Sequence, residues 1–417
     1  MRINHSTTLT AVCVLLILFA VANLCVAQNT AKKTGFESEK VSLDDLRRQG
    51  SDALYNLDYQ VAQKRFLEIV RLFPEHPAGA HAMATSIWFQ ELNRLRRLSD
   101  SLYSSDSTPE MGEPLSSELV NQFRESIRKA KLLSENRLRK NSKDVEALYF
   151  LGAAESLNAA FAASIERRYL GASKDASSAV GHHRQVLKLD PNYYDAELSI
   201  GLYNYVLGSL PFPIRLLASL RGMRGSKKRG FESLERVADK GKWARDVARV
   251  VLIDLYKREK RWDDALELSR DLAKRYPENY NFQLQIADTL ISRSLSSKND
   301  KQLSDDQRNA FSIIEGLIRE RSEQAESVAL AVIRYRYGET LLKAEQYEKG
   351  AREFLAATKV ARSEPGLPGL ARLRAGQALD LAGKRNEALA EYQAVLNGPN
   401  VYNVHEQARR GLRERYK

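Results

Sequence analysis

Apolar positions recur along this chain at helical spacing, and polar turns break them at regular intervals. The stretch "GSDALYNLDYQVAQKRFLEIVRLFP" sets the frame: the small residue Gly50 is followed twelve residues later by Ala62, then by Phe66, and finally by Pro74. This spacing predicts a helix hairpin. Two amphipathic helices of three to four turns meet where a small residue on the first faces a small residue on the second, an aromatic one turn later fills the groove, and a proline stops the second helix. The frame recurs at Gly338, Gly350 and Phe354, and at Gly376, Ala388 and Tyr392. Ile253, Ala265 and Pro277 keep the same spacing in mid-chain.

The interval from Gly50 to Ala84 is 34 residues, and that from Ile253 to Ala287 is 34 again. Eight first helices follow, centred near Gly50, Ala84, Gly152, Gly201, Ile253, Ala287, Gly338 and Gly376. Four have ordinary hairpins, and four have stretched ones, pairing Ala84 with Ala130, Gly152 with Ala179, Gly201 with Gly230 and Ala287 with Ala310. The prolines agree, since each falls between repeats or inside an insertion such as "SLYSSDSTPEMGEP". A 34-residue hairpin frame with these small and aromatic positions resembles the tetratricopeptide repeat (TPR). The order of segments, with a long hairpin at "SLPFP" followed by "GFESLERVADKGKWARDVARVVLIDLY", is similar to a group of bacterial envelope TPR proteins. The resemblance implies an all-α, right-handed α-solenoid of about eight TPR-like hairpins, with residues 404–416 capping the last. It divides the chain into N-terminal repeats over 43–142, central repeats with extended hairpins over 143–325, and C-terminal repeats with the cap over 326–417.

Composition changes this picture mainly at the N-terminus. Apolar content of 43% with 28% charge excludes wholesale disorder. Arg2 and His5 precede an apolar run from Leu9 to Ala22, and Cys25-Val26-Ala27 forms a small-residue exit. These features predict a secretory signal over 1–27, followed by a flexible linker over 28–42. An uncleaved N-terminal membrane anchor is the alternative. Both cysteines, Cys13 and Cys25, lie inside that segment, so the exported chain has no disulfide, thiolate metal site or cysteine nucleophile. The expected location is the periplasm or the exterior of a bacterial cell. The formal charge of +12 suits solubility, or attraction to anionic lipid, cell-wall polymer or an acidic protein.

Residues 209–230, "SLPFPIRLLASLRGMRGSKKRG", join the two helices of the fourth hairpin. They lack the Gly-x4-Gly-Lys-Ser/Thr spacing of a phosphate-binding loop. Gly222 and Gly225 match an RNA-binding GxxG loop, but the sheet that loop needs is absent. No nucleic-acid partner is expected. The favoured reading is a short extra helix over Ile214–Leu220, packed as an apolar plug under the array, with a solvated basic turn. Shallow contact with a membrane surface is the alternative, with Arg215, Arg221, Arg224, Lys227, Lys228 and Arg229 as the basic loop. These residues would equally carry a second overall reading, a binder of anionic lipid head groups or cell-wall polymer.

Chemistry-bearing patterns are thin. His405-Glu406 lacks the second histidine of a zinc protease, and Ser126-Ile127-Arg128-Lys129 has no accompanying motif of a serine acyl enzyme. His182 and His183 point apart on one helix, His76 and His81 straddle a turn, and each reads as an ordinary surface histidine. No enzyme activity, cofactor or metal is expected. The TPR resemblance instead implies a groove lined by first helices that holds a peptide or helix of another protein. Its inward positions would include Arg47, His81, Trp88, Tyr149, Tyr205, Asp254, Asn281, Tyr335, Glu339 and Gln377, joined by Lys257, Asp288 and Asp380. The aromatics Trp88, Tyr149, Tyr205 and Tyr335 are the expected anchors, with packing between neighbouring repeats as the alternative for each.

Overall fold

A computed structural model describes residues 41–94, 116–166, 168–220, 222–297, 300–322, 328–361, 363 and 366–417. The signal segment, nearly all of the linker, the insertion at 101–114 and Arg221 lie outside the described residues. The chain divides into two units, Met1–Asp45 and Leu46–Lys417. In the first, the Asp45 backbone N–H donates to the Ser42 hydroxyl (3.1 Å), an N-terminal helix cap.

Among the described residues there is no strand, and the eight hairpins fall where the small-residue frame puts them. The first helices are α1 (Leu43–Tyr55), α3 (Pro77–Arg94), α5 (Val145–Ser164), α7 (Glu197–Ser209), α10 (Arg245–Arg258), α12 (Tyr280–Ser296), α14 (Val328–Lys343) and α16 (Leu367–Leu381). Their partners are α2 (Tyr59–Leu72), α4 (Ser117–Lys140), α6 (Tyr169–Leu189), α9 (Lys227–Lys240), α11 (Trp262–Arg275), α13 (Asp300–Ser322), α15 (Tyr347–Ala357) and α17 (Arg385–Leu396). Two helices stand outside the frame: α8 (Phe212–Leu220), inside the fourth hairpin, and α18 (Val404–Arg413), on the last. From α2 onward each helix packs on its neighbours in sequence, except that α9 packs on α7 rather than on α8, and α12, α14 and α16 also touch as a row of first helices.

The frame works because glycine removes the side chain at the crossing. A Cβ on Gly50 would lie 2.3 Å from the Phe66 ring, and one on Gly338 or Gly376 would lie 2.6 Å from Phe354 or Tyr392. The stretched hairpins cross at their expected small pairs too, since Ala84, Ala130, Ala287 and Ala310 are fully buried and a Cβ on Gly201 would meet the Gly230 carbonyl at 3.1 Å. The aromatic slot of the third hairpin holds His183, whose ring lies 2.6 Å from a Cβ built on Gly152. This corrects the expectation of a surface histidine, because His183 is 2% exposed.

The four ordinary hairpins also share their turn. Leu57, Lys260, Glu345 and Gly383, each seven residues after the frame's small position, have positive φ. The residue after each donates its N–H back to the carbonyl five residues earlier, at Ala53, Tyr256, Leu341 and Leu379 (2.8–2.9 Å). That is a Schellman motif, in which one left-handed residue stops the helix and satisfies its last carbonyls. Three of the four positions are not glycine, so the close packing of the two helices holds the strain there.

Two long-range ties have no counterpart in the repeat frame. Buried Asp195 accepts backbone N–H donation from Lys242 (2.9 Å), Trp243 (2.8 Å) and Ala244 (2.8 Å), capping α10 from across the fourth hairpin. The Tyr55 ring stacks on Tyr276 at 5.0 Å, and the Asn279 amide donates to the Tyr55 carbonyl (2.7 Å). The first repeat thus packs directly against the turn before α12.

Candidate functional site

The residues expected to line one continuous groove fall into three groups. The first group is committed to contacts within the protein. Arg47 donates to the Lys242 carbonyl (3.0 Å) and lies 5.2 Å from the centre of the Trp243 ring. Trp243 meets Phe150 edge-on at 5.0 Å, and His81 packs on the same Phe150 at 5.7 Å. Tyr149 stacks on His183 and also touches Tyr193. Trp88 donates its indole N–H to the Ser164 hydroxyl (3.0 Å), and buried Asn281 donates to Asn93 (3.2 Å).

Tyr205 stands apart. Its hydroxyl donates to Glu259 (2.9 Å), the same carboxylate that Lys227 holds at 2.6 Å. Trp88, Tyr149 and Tyr205 are 8%, 4% and 4% exposed. Their rings are filled by the protein itself, which corrects the expectation that they present a face to a partner. Of the four proposed anchors only Tyr335 remains partly open, packed against Phe354 at 5.4 Å.

The third group forms a surface of its own. Lys257 of α10 pairs with Asp288 of α12 (2.5 Å) and donates to Gln285 (3.1 Å). The other oxygen of Asp288 takes Lys343 of α14 (2.5 Å). One turn back on α14, Glu339 accepts both forks of Arg374 on α16 (2.6 and 2.7 Å), and Arg374 also donates to Gln377 (2.7 Å). Buried Asp254 adds its negative charge beside Lys257. Opposite charges therefore alternate across four consecutive first helices.

The ladder is tight enough to move its own titrations. Burial alone would raise the Asp288 carboxyl, but Lys257, Lys343 and Arg336 outweigh it and hold that group well below the usual carboxylate range. Burial likewise opposes charge at Glu339 and Arg374, yet their mutual attraction lowers the acid and raises the base. Asp288, Glu339, Lys257 and Arg374 therefore stay charged at neutral pH.

Sequence reasoning placed Asp254, Lys257, Asp288, Glu339 and Gln377 on the inward face but missed Arg374 and Lys343. The signal was available as opposite charges one repeat apart, at Glu339 and Arg374 on adjacent first helices.

The basic loop is also partly committed. Lys227 is held by Glu259, and Lys228 faces Glu232 at 3.9 Å, while the Arg215, Arg224 and Arg229 side chains are exposed. Among the described residues no group of three or more His, Cys, Asp or Glu is arranged to hold a metal, and no helix is long and apolar enough to cross a membrane.

The fold is an all-α array of TPR-like hairpins. Its architecture is similar to that of IFIT1 solved as a monomeric mutant with Gppp-AAAA, at 14% identity over 90% of this chain and 87% of that one, with a TM-score of 0.43. It is also similar to the human IFIT1 dimer with m7Gppp-AAAA (13% identity, 89% and 86% covered, TM-score 0.42). Yeast Tom70 gives 14% identity over 88% of each chain, with a TM-score of 0.38. No family model and no curated protein matches the sequence. At these values the likeness concerns the helical-repeat fold alone and transfers no role and no site.

Proposed function

We propose that this chain is an exported, non-catalytic scaffold that docks a polypeptide segment of another protein on the inner face of α10, α12, α14 and α16. The charge ladder carries this reading: Lys257, Asp288, Lys343, Glu339 and Arg374 present both signs on consecutive first helices. Surfaces with alternating charge select register and partner more than they supply bulk affinity. The carboxylates of Asp288 and Glu339 suit a segment of mixed charge better than a polyphosphate backbone, which needs an unbroken positive face. Export is read from the Leu9–Ala22 run and its small-residue exit.

Lys343 is the most accessible member of the ladder, with 48% of its side chain exposed, and Asp288 keeps its pairing with Lys257 when Lys343 is neutralised. Lys343→Gln is expected to weaken capture of the partner from the envelope fraction at least about tenfold while melting close to the unchanged protein. Equal capture by the two would remove the ladder from the interface. Recovery of lipid or polymer alone, released by salt, would replace this reading with that of a polyanion binder.

A further inference from the structure

The apolar helix α8 does not pack as a plug under the repeats. Phe212, Ile214, Leu216, Leu217 and Leu220 are between 50% and 76% exposed, and only Ala218 of this nine-residue helix is buried. Five large apolar side chains on nine residues is a patch that soluble proteins seldom leave uncovered unless it meets a partner or a membrane.

The mounting of α8 is specific. Pro211 precedes the helix and Pro213 lies in its first turn, where the missing N–H costs nothing. Gly208 and Gly225 close the base of the excursion: a Cβ on Gly208 would lie 2.5 Å from the Lys227 nitrogen, and one on Gly225 2.4 Å from Leu207. Gly222, at φ 76°, reverses the chain after the helix. The apolar face is therefore held out on a closely packed stem.

Charge decides what covers it. From Leu198 to Phe231 the sequence contains no aspartate or glutamate, while Arg215 on the helix and Arg224, Lys228 and Arg229 after it have exposed side chains, Lys228 facing Glu232 at 3.9 Å. A second copy meeting the same surface across a two-fold axis would bring these cations together. A bilayer with anionic head groups satisfies both halves, taking the apolar side chains among its acyl chains and the cations at its phosphates.

We propose that α8 lies in the interface of an anionic bilayer, with Phe212, Leu216, Leu217 and Leu220 buried below the head groups and Arg215, Arg224, Lys228 and Arg229 at their level. The helix fastens the scaffold to a membrane surface without crossing it. This rests on different residues from the docking face, and either can fail alone.

The test must read the helix itself, because the Leu9–Ala22 run is a second apolar segment of the same chain. In the full chain carrying Cys13→Ser and Cys25→Ser, Leu220→Cys is labelled with nitrobenzoxadiazole and mixed with vesicles. Equimolar phosphatidylglycerol and phosphatidylcholine are expected to shift its emission to the blue, to make it quenchable by acyl-chain nitroxides, and to bind at least about tenfold tighter than phosphatidylcholine alone. Arg224→Glu with Lys228→Glu is expected to erase that preference. A label that stays in water while the chain sediments with the vesicles would overturn the proposal, as would an equal blue shift with both compositions. A shift that follows protein concentration without vesicles would assign the patch to a second copy instead.

Discussion

Replacing Asp380 by alanine is expected to cost about 4 kcal/mol, because it leaves a desolvated arginine without its partner. Asp380 is fully buried at the end of α16. It accepts from Arg385 at 3.0 and 2.9 Å, from the Tyr392 hydroxyl at 2.9 Å and from the Tyr416 backbone N–H at 3.0 Å. Arg385 in turn donates to the Gly411 and Leu412 carbonyls, fastening the end of α18. A single carboxylate thus ties the last hairpin to its cap. In a repeat array the damage should stay near its source, since each hairpin is stabilised mainly by its neighbours. Hydrogen exchange should accelerate over residues 385–417 while 145–189 keep their protection. Uniform acceleration along the chain would show that the cap is not an independent latch.

The second large effect is acid lability in a window set by histidine. Burial pushes His183 down to about 4, and His81 moves to about 4 for the same reason. The neutral His183 ring uses both nitrogens, with Nε2 3.1 Å from the Tyr149 carbonyl and Nδ1 2.5 Å from the Ser199 hydroxyl. The carbonyl only accepts, so Nε2 carries the proton and the serine donates to Nδ1. Below the ordinary histidine value of about 6.5 the unfolded chain takes up a proton that the folded chain refuses. Stability is therefore intact above that pH, erodes as pH falls from about 6.5 towards 4, and loses about 3 kcal/mol through His183 by the lower limit. Ionised carboxylates such as Asp288 and Glu339 are held down in the fold, and their loss falls lower on the scale. His183→Phe puts the side chain of Phe66 and Phe354 into the same slot and should remove about half of the fall in melting temperature between pH 6.5 and 4.5, His81 supplying the rest. Parallel profiles for the two proteins would place the acid sensitivity elsewhere.

The hairpins were legible because their cause is local and repeated. A glycine that must admit an aromatic ring sixteen residues later writes the same spacing wherever it occurs, as at Gly50 with Phe66 and Gly376 with Tyr392. The stretched hairpins were legible for the same reason, since the small pair survives even when the turn between its helices grows. The Asp195 cap on α10 and the stacking of Tyr55 on Tyr276 were not legible, because one contact across such a sequence separation leaves no period. Those ties also turned the expected groove inward at Arg47 and Asn281, leaving the docking face to the C-terminal first helices. At α8 the composition was clear and its placement was not: an apolar run reads alike whether it faces the core or the solvent, and only the exposed Phe212, Leu217 and Leu220 separate the two.

The central claim is that the inner face of α10, α12, α14 and α16 holds a partner protein, and site-specific photocrosslinking in the native envelope tests it most directly. A photoreactive phenylalanine analogue is placed at Ser292 or Tyr335 on the inner face, and at Arg352 or Glu387 on the second helices. The account predicts one protein adduct of a single size from the two inner positions, retained at high salt, and none from the two outer ones. Equal adducts from both faces, or adducts from the outer helices alone, would contradict it.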